Sequence, residues 1–276
     1  MTPAHRWPAD FDPTLLSHGR LLWRFPGSDG ARFSPRLAWS LLDEFTGDVS
    51  SDIARGVPGI ALWDPFCGTG LIPAVAMLFF GERLAEVHAS DMSELASSVA
   101  QENLQLVSDP KVAERRMREV TGRRGQNPKS DRRWGEVATY LEALKSRIEA
   151  AHQRAVPIAC WAGPADQVPA TDHPLCIVAD APYGAQSTLH GSGLAELVTG
   201  WLMNERVNRI VLVMGAALPE APRAAGFECS QRPIRGGRTV LIATRTRPTD
   251  FCSGETSKRS ASTADGMGNP TGKSPK

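Results

Sequence analysis

Eleven residues, Ile60-Ala-Leu-Trp-Asp64-Pro-Phe66-Cys67-Gly68-Thr69-Gly70, constrain this chain more than any other stretch. Ile60 to Trp63 form a short apolar run without helical spacing, which suits a strand buried on both faces. Gly68 and Gly70 carry no Cβ, so the chain can turn tightly and bring its backbone close to a ligand. Leu71, Val75, Leu78 and Phe79 then recur at helical spacing. Strand, acid, glycine turn and helix together describe a nucleoside-cofactor loop at the carboxyl end of a parallel strand. The third glycine of a dinucleotide fingerprint is missing, since Leu71, Ile72 and Pro73 follow Gly70. No Gly-Lys-Ser/Thr closes this loop to cradle a triphosphate, since Gly70 runs directly into Leu71 and Ile72. Asp64 would repel a phosphate but suits a cationic methionyl group, with its ammonium and sulfonium. The loop, from Asp64 through Phe66, Cys67, Gly68, Thr69 and Gly70, therefore reads as a site for S-adenosylmethionine.

A second constellation, Cys176-Ile-Val-Ala-Asp180-Ala-Pro182-Tyr183-Gly184, is another apolar strand ending in an acid and a Pro-Tyr-Gly turn. Methyl transfer to an exocyclic amine is difficult because the nitrogen lone pair is delocalised into the base. An acceptor held by the Asp180 carboxylate and the Pro182 carbonyl has that lone pair directed at a sulfonium methyl. Tyr183 would stack on a flipped base, and Gly184 leaves room for the ring. Asp180, Pro182 and Tyr183 are the candidate catalytic residues.

Asp64-Pro-Phe-Cys-Gly-Thr-Gly70 with Asp180-Ala-Pro-Tyr-Gly184 resembles the amino-methylating RNA methyltransferases, and more closely the AviRa family of ribosomal RNA methyltransferases. The matching stretches are Trp23-Arg24 to Pro35-Arg36-Leu37-Ala38, the Asp64–Gly70 loop, Ala89-Ser90-Asp91, Glu102-Asn103-Leu104, an arginine-rich insert and Asp180–Gly184. The resemblance implies a Rossmann-like class I α/β fold: a mostly parallel seven-stranded sheet, helices on both faces and a helical insertion. It also implies transfer to the N2 amine of a guanine in 23S RNA, blocking orthosomycin antibiotics such as avilamycin. Ala181 replaces the first proline of an Asp-Pro-Pro-Tyr motif, which weakens any link to adenine-N6 enzymes. The alternatives are transfer to another RNA amine, as in transfer RNA, and a non-catalytic cofactor-binding RNA binder.

Asp91 ends the next strand-like segment 21 residues after Gly70, close to the spacing of about 20 at which an acid meets ribose hydroxyls. Met92 beside it would face the adenine. In similar enzymes an acid after the third strand accepts from the adenine amine, and Asp166 occupies that place. Between the second and third strands lies an insert, mostly helical, over about 110–155. Residues 111–154 hold 12 Lys/Arg against 6 acids, a net of +6 in a chain whose total is +1. Such a concentration supplies the sequence-independent phosphate attraction that RNA binding needs. Arg115, Arg116, Arg123, Arg124, Lys129 and Arg132 are the expected contacts, Gly184 lining the base. Leu21–Phe25 reads as a short strand, and the loop after Gly184, including His190, as a cover for the base.

The five cysteines form no Cys-x-x-Cys pair, so neither a disulfide framework nor a metal site is expected. Cys67 reads as a small buried apolar residue. No apolar run reaches the roughly 18 residues that span a bilayer. The reading is of a monomeric cytoplasmic enzyme acting on 23S RNA or the large subunit without a membrane partner. Its domain covers 1–247, and the Ser-, Thr-, Gly- and Lys-rich tail, 248–276, buries too little apolar surface to order itself.

Overall fold

The computed structural model describes Leu16, 21–24, 33–46, 59–123, 128–182, 193–215, Leu218, 226–234 and 236–246, excepting the side chains of Phe45, Thr46, Arg123, 128–131, Arg133 and Tyr140. The chain divides into two compact units, Met1–Thr246 and Arg247–Lys276, the second lying outside the described residues. Within the first, the elements run α1 (Pro35–Thr46), β1 (Ile60–Asp64), α2 (Leu71–Phe80), β2 (Leu84–Asp91) and α3 (Glu94–Ser108). Next come α4 (Pro110–Arg123), α5 (Pro128–Arg154), β3 (Ile158–Ala162), β4 (Leu175–Asp180), α6 (Leu194–Met203), β5 (Val207–Met214), β6 (Phe227–Ile234) and β7 (Arg238–Arg245).

The strands form one sheet in the order β3-β2-β1-β4-β5-β7-β6. β1 to β5 pair in parallel, and β7 runs against both its neighbours. This is the expected seven-stranded, mostly parallel α/β sheet. Its order reverses between β1 and β4, the switch point outside which ligands bind in open α/β sheets.

Alternation assigns side chains to two faces. Ile60, Leu62, Val87, Ala89, Val178, Val211, Val213 and Val240 enter one apolar cluster with α1, α2, α3 and the two insert helices. Ala61, Trp63, Ile177, Ala179, Leu212 and Leu241 enter the other, under α6. Trp63 and Trp201 meet edge to face there, 6.0 Å between ring centres.

The insert does more than carry charge. All ten residues of α2 are apolar, a composition that calls for burial all round. The sheet covers one side, Trp39 of α1 meets Phe80 at 5.9 Å, and Arg147 of α5 lies 4.8 Å over Phe79. Val120, Val137, Leu141, Leu144 and Ile148 join the same core. The C-terminal end of α5 is held at the sheet's amino edge: His152 lies 3.1 Å from the Ser108 carbonyl, and Arg154 lies 3.6 Å from Glu82 after α2. Its 27 residues extend about 40 Å, against about 15 Å for α2, so its first turns reach beyond the carboxyl edge.

Residues 21–24 form no strand, contrary to the expectation for Leu21–Phe25, of which Phe25 lies outside the described residues. Their backbone polar groups are met by a side chain instead. Trp23 N–H donates to Asn103 Oδ1 at 2.7 Å, and Asn103 Nδ2 donates to the Trp23 carbonyl at 3.0 Å. The same amide donates to the Thr69 carbonyl at 2.8 Å, tying the glycine loop to α3. Asn103 is fully buried, so its loss strands backbone groups in the interior. Asn103→Ala is expected to lower unfolding free energy by about 2–4 kcal/mol, measured by urea denaturation.

Candidate functional site

Three strands of one face end in acids: Asp64 on β1, Asp91 on β2 and Asp180 on β4. Asp64 pairs with Ala89 across β1–β2, which puts Asp91 two residues further along. On the other side Trp63 pairs with Ile177, which puts Asp180 likewise two residues beyond the level of Asp64. The strand ends that carry these three acids therefore lie side by side at the carboxyl edge of the sheet, at its switch point.

The glycine loop is closed by these acids. Asp64 is 1% exposed and accepts from the Phe66 N–H at 3.1 Å. Asp91 accepts from the Gly68 N–H at 3.0 Å through Oδ2 and from the Ser93 N–H at 2.9 Å through Oδ1. Burial, reinforced by Asp91 and Asp180, holds the Asp64 carboxyl well above the usual range despite its bond to Phe66. Carboxyls crowded in this way are relieved by a cation, which is the chemistry a methionyl sulfonium and ammonium bring. The residues present thus fit S-adenosylmethionine.

Cys67 N–H donates to the Ser90 carbonyl at 2.9 Å. A hydrogen bond to Cys160 and burial raise the Cys67 thiol, so it stays protonated and packs as a small apolar group. Phe66 leans on Trp201 at 6.2 Å, and Thr69 is buried. Met92 is 56% exposed beside Asp91, with Leu95 one turn on. Asp166 is exposed in the turn after β3, and the Gly163 N–H to Asp91 carbonyl bond, 3.0 Å, draws that turn against β2.

Asp180 is mostly buried, and among the described residues its Oδ1 accepts no hydrogen bond. Burial raises it to about 7, against a lowering by Arg238. Pro182 follows, half-buried, while Tyr183, Gly184 and the loop with His190 lie outside the described residues.

The basic residues separate. Arg116 is 4% exposed and bonded to Glu119, its guanidinium carbon 4.8 Å from the Trp23 ring centre and 5.9 Å from that of Trp134. The expectation that it contacts RNA is corrected: it is wedged between two rings at the base of the insert, out of reach of a phosphate. Arg115 is exposed on α4, and the Arg132 side chain is 92% exposed on the first turns of α5. Pro128 begins that helix six residues, about 9 Å, before Trp134. Arg124 and the side chains of Arg123 and Lys129 lie outside the described residues. Asn103 and Arg238 were not singled out as site residues by sequence; their roles depend on contacts 34 and 58 positions away.

Gly68 and Gly70 both have positive φ, 52° and 79°. A Cβ at Gly70 would also come within 3.1–3.3 Å of Ala100, whereas one at Gly68 meets nothing within 4 Å. Gly70→Ala is expected to cost about 2–4 kcal/mol and Gly68→Ala about 1–2 kcal/mol. Thermal unfolding reads this difference, and calorimetry with S-adenosylmethionine should show the larger loss at Gly70.

The family model for rRNA methyltransferase AviRa matches residues 12–215. A 23S rRNA (guanine(2535)-N(1))-methyltransferase from Streptomyces viridochromogenes is 27% identical over 252 residues, 85% of this chain and 90% of that protein. Two solved structures of rRNA methyltransferase AviRa from the same organism share the fold. Their TM-scores are 0.64 and 0.62 at 22% and 23% identity, covering 85% of this chain and 93% of theirs. Among the described residues no helix is long and apolar enough to cross a membrane. The chain belongs to the AviRa family of rRNA methyltransferases, class I enzymes whose methyl donor is S-adenosylmethionine.

Proposed function

We propose that this protein methylates a guanine of 23S RNA at ring nitrogen N1, with Asp180 as the general base. The observation that carries this reading is the carboxyl of Asp180, raised to about 7, with a buried oxygen that accepts no hydrogen bond among the described residues. The exocyclic N2 expected from sequence keeps a lone pair without losing a proton first. N1 of guanine carries a proton, and a nucleophilic lone pair appears there only when a base removes it. A carboxylate of ordinary basicity would do this poorly, whereas one poised near neutrality is matched to the task. The name of the Streptomyces relative also specifies N1.

Asp64 and Asp91 hold the loop and, with Met92 and Asp166, form the donor side. Gly68 and Gly70 let the backbone close on it. When bound, S-adenosylmethionine supplies an electrophilic methyl: the nitrogen lone pair forms the new C–N bond as the C–S bond breaks, its electrons staying on sulfur. Asp180 takes the N1 proton and returns it to solvent. Pro182, Tyr183 and Gly184 shape the base side, as their types suggest. Arg115 and Arg132, with Arg123, Arg124 and Lys129, supply phosphate attraction ahead of the crevice. Such a protein acts in the cytoplasm on large-subunit RNA, and its modification protects the ribosome from orthosomycins.

The test is the identity of the product. RNA methylated in vitro, digested to nucleosides, should yield 1-methylguanosine. A 2-methylguanosine product would restore the N2 reading, and binding without incorporation would favour a non-catalytic protein. Asp180→Asn should lower transfer by about 10²- to 10⁴-fold while S-adenosylmethionine binding, measured by calorimetry, changes little. In the wild type, kcat should climb with pH and level off above about 7, as the carboxyl becomes carboxylate. Arg238 favours that ionisation, and the Asp64 carboxyl, itself raised by burial, lies close enough to feel the charge that forms. Stability should move the opposite way. The folded carboxyl holds its proton up to about 7 and the unfolded one only to 3.8, so stability falls as pH rises between them. Asp180→Asn removes that fall, which urea titrations across the window would show.

A further inference from the structure

The turn between β6 and β7 contains consecutive left-handed residues, Gly236 at φ 87° and Gly237 at φ 71°, and delivers Arg238 to the start of β7. Val240 lies in the apolar cluster beneath the insert, whereas Leu241 and Ala243 lie in the opposite one. Alternation therefore places Arg238 on the face of Val240, and Asp180 on the face of Val178, the same face. Asp180 pairs with Val213, and Val213 with Val240. Arg238 thus stands two strands aside, about 10 Å, and two residues, about 7 Å, past the level of Asp180 toward the carboxyl edge. Its guanidinium carbon lies 6.0 Å from the centre of the Phe33 ring, a contact that supports a cation on an aromatic face. Its charge is also felt at Asp180. A carboxyl from β4 and a guanidinium from β7 converge above one crevice.

The edge of guanine presents a donor and an acceptor side by side, N1–H and O6. A carboxylate suits the first and a guanidinium the second, with N7 within reach of the same fork. Adenine offers the reverse pair, a bare N1 and an amino group, and each would meet the wrong partner. As N1 gives up its proton, negative charge spreads onto O6, so a cation there binds more tightly as the reaction proceeds. We infer that Arg238 is the residue that selects guanine, donating to O6 of the base whose N1 faces Asp180. The assignment rests on the N1 reading for its effect on rate, and on the shared crevice for its effect on base choice.

The experiment compares large-subunit RNA carrying guanine or 6-thioguanine at the mapped position. The thione keeps N1–H but accepts hydrogen bonds weakly, and its N1 proton leaves more easily, so harder proton removal cannot explain a slower reaction. Wild-type kcat/KM is expected to be about 10-fold lower or more on the thione. Arg238→Gln should lose roughly 10- to 100-fold on guanine and should no longer distinguish the two bases. Its S-adenosylmethionine affinity should stay within about twofold, and Arg238→Lys should fall between. Equal wild-type rates on the two bases overturn the inference, and that comparison needs no variant to fold. It is equally overturned if Arg238→Gln retains the wild-type preference, or loses donor binding and transfer together. Product identity from the same reactions reports separately on the nitrogen: 2-methylguanosine would remove the N1 reading while leaving the O6 contact to stand or fall on the thione comparison.

Discussion

Carboxyls brought together at the ends of neighbouring strands repel one another, and burial multiplies that repulsion by removing water. Asp64, Asp91 and Asp180 are arranged in this way, and the loop geometry follows from how each is satisfied. Asp91 spends both oxygens on backbone N–H groups, one of Gly68, which ties the glycine loop to β2, and one of Ser93 at the start of α3. Asp64 spends one on Phe66 beneath the same loop. The loop is therefore held by carboxyls, and burial with neighbouring charge raises Asp64 well above the usual range, a strain that a cation relieves. A sulfonium donor relieves them, and a donor that has given up its methyl is neutral at sulfur and relieves them less.

The insert draws its position from packing rather than from charge. α2 is apolar on every side, and a two-layer arrangement of sheet and helices would leave its outer surface in water. α4 and α5 supply the missing layer, and Arg116 completes it by filling the space between Trp23 and Trp134 with a flat cation. Trp23 in turn is held by Asn103, which also holds Thr69. A run of direct contacts thus links the base of the basic hairpin to the cofactor loop. Arg132 is exposed on the same insert whose packing the buried Arg116 completes.

Much of this was legible in the chain. Apolar runs without helical spacing marked β1 and β4, and the acid after each marked the crevice, because a buried strand admits a charged residue only at its end. Asp91 was reachable from its spacing to Gly70. The limits have physical causes. Leu21–Phe25 has a strand's composition, but its partner is a side chain, Asn103, rather than another strand, and composition does not reveal partners. Arg116 has the same local surroundings as Arg115, and only helical phase against two distant tryptophans separates a core arginine from a surface one. Arg238 follows the Gly236-Gly237 turn at the start of β7. Its place near Asp180 depends on β7 being inserted between β5 and β6, a topological fact that no local pattern encodes.

The same Asp180 supports two chemical readings, and the environment of its carboxyl separates them better than the motif does. An Asp-x-Pro-Tyr turn presents an acid to the edge of a planar base, where N1–H and the N2 amine of guanine are neighbours. Either can donate to one carboxylate. If the task were only to orient an amine, a solvated and fully ionised carboxylate with satisfied oxygens would serve, and natural proteins rarely leave a buried acceptor without a donor. Here one oxygen has no donor among the described residues, and burial raises the carboxyl to about 7. That arrangement costs stability and is of use where a proton has to be taken. Arg238 moderates it, keeping the carboxyl from becoming too reluctant to ionise. Burial raising the carboxyl and a guanidinium restraining it set opposite ends of one balance, the balance that the proposed proton transfer at neutral pH would use.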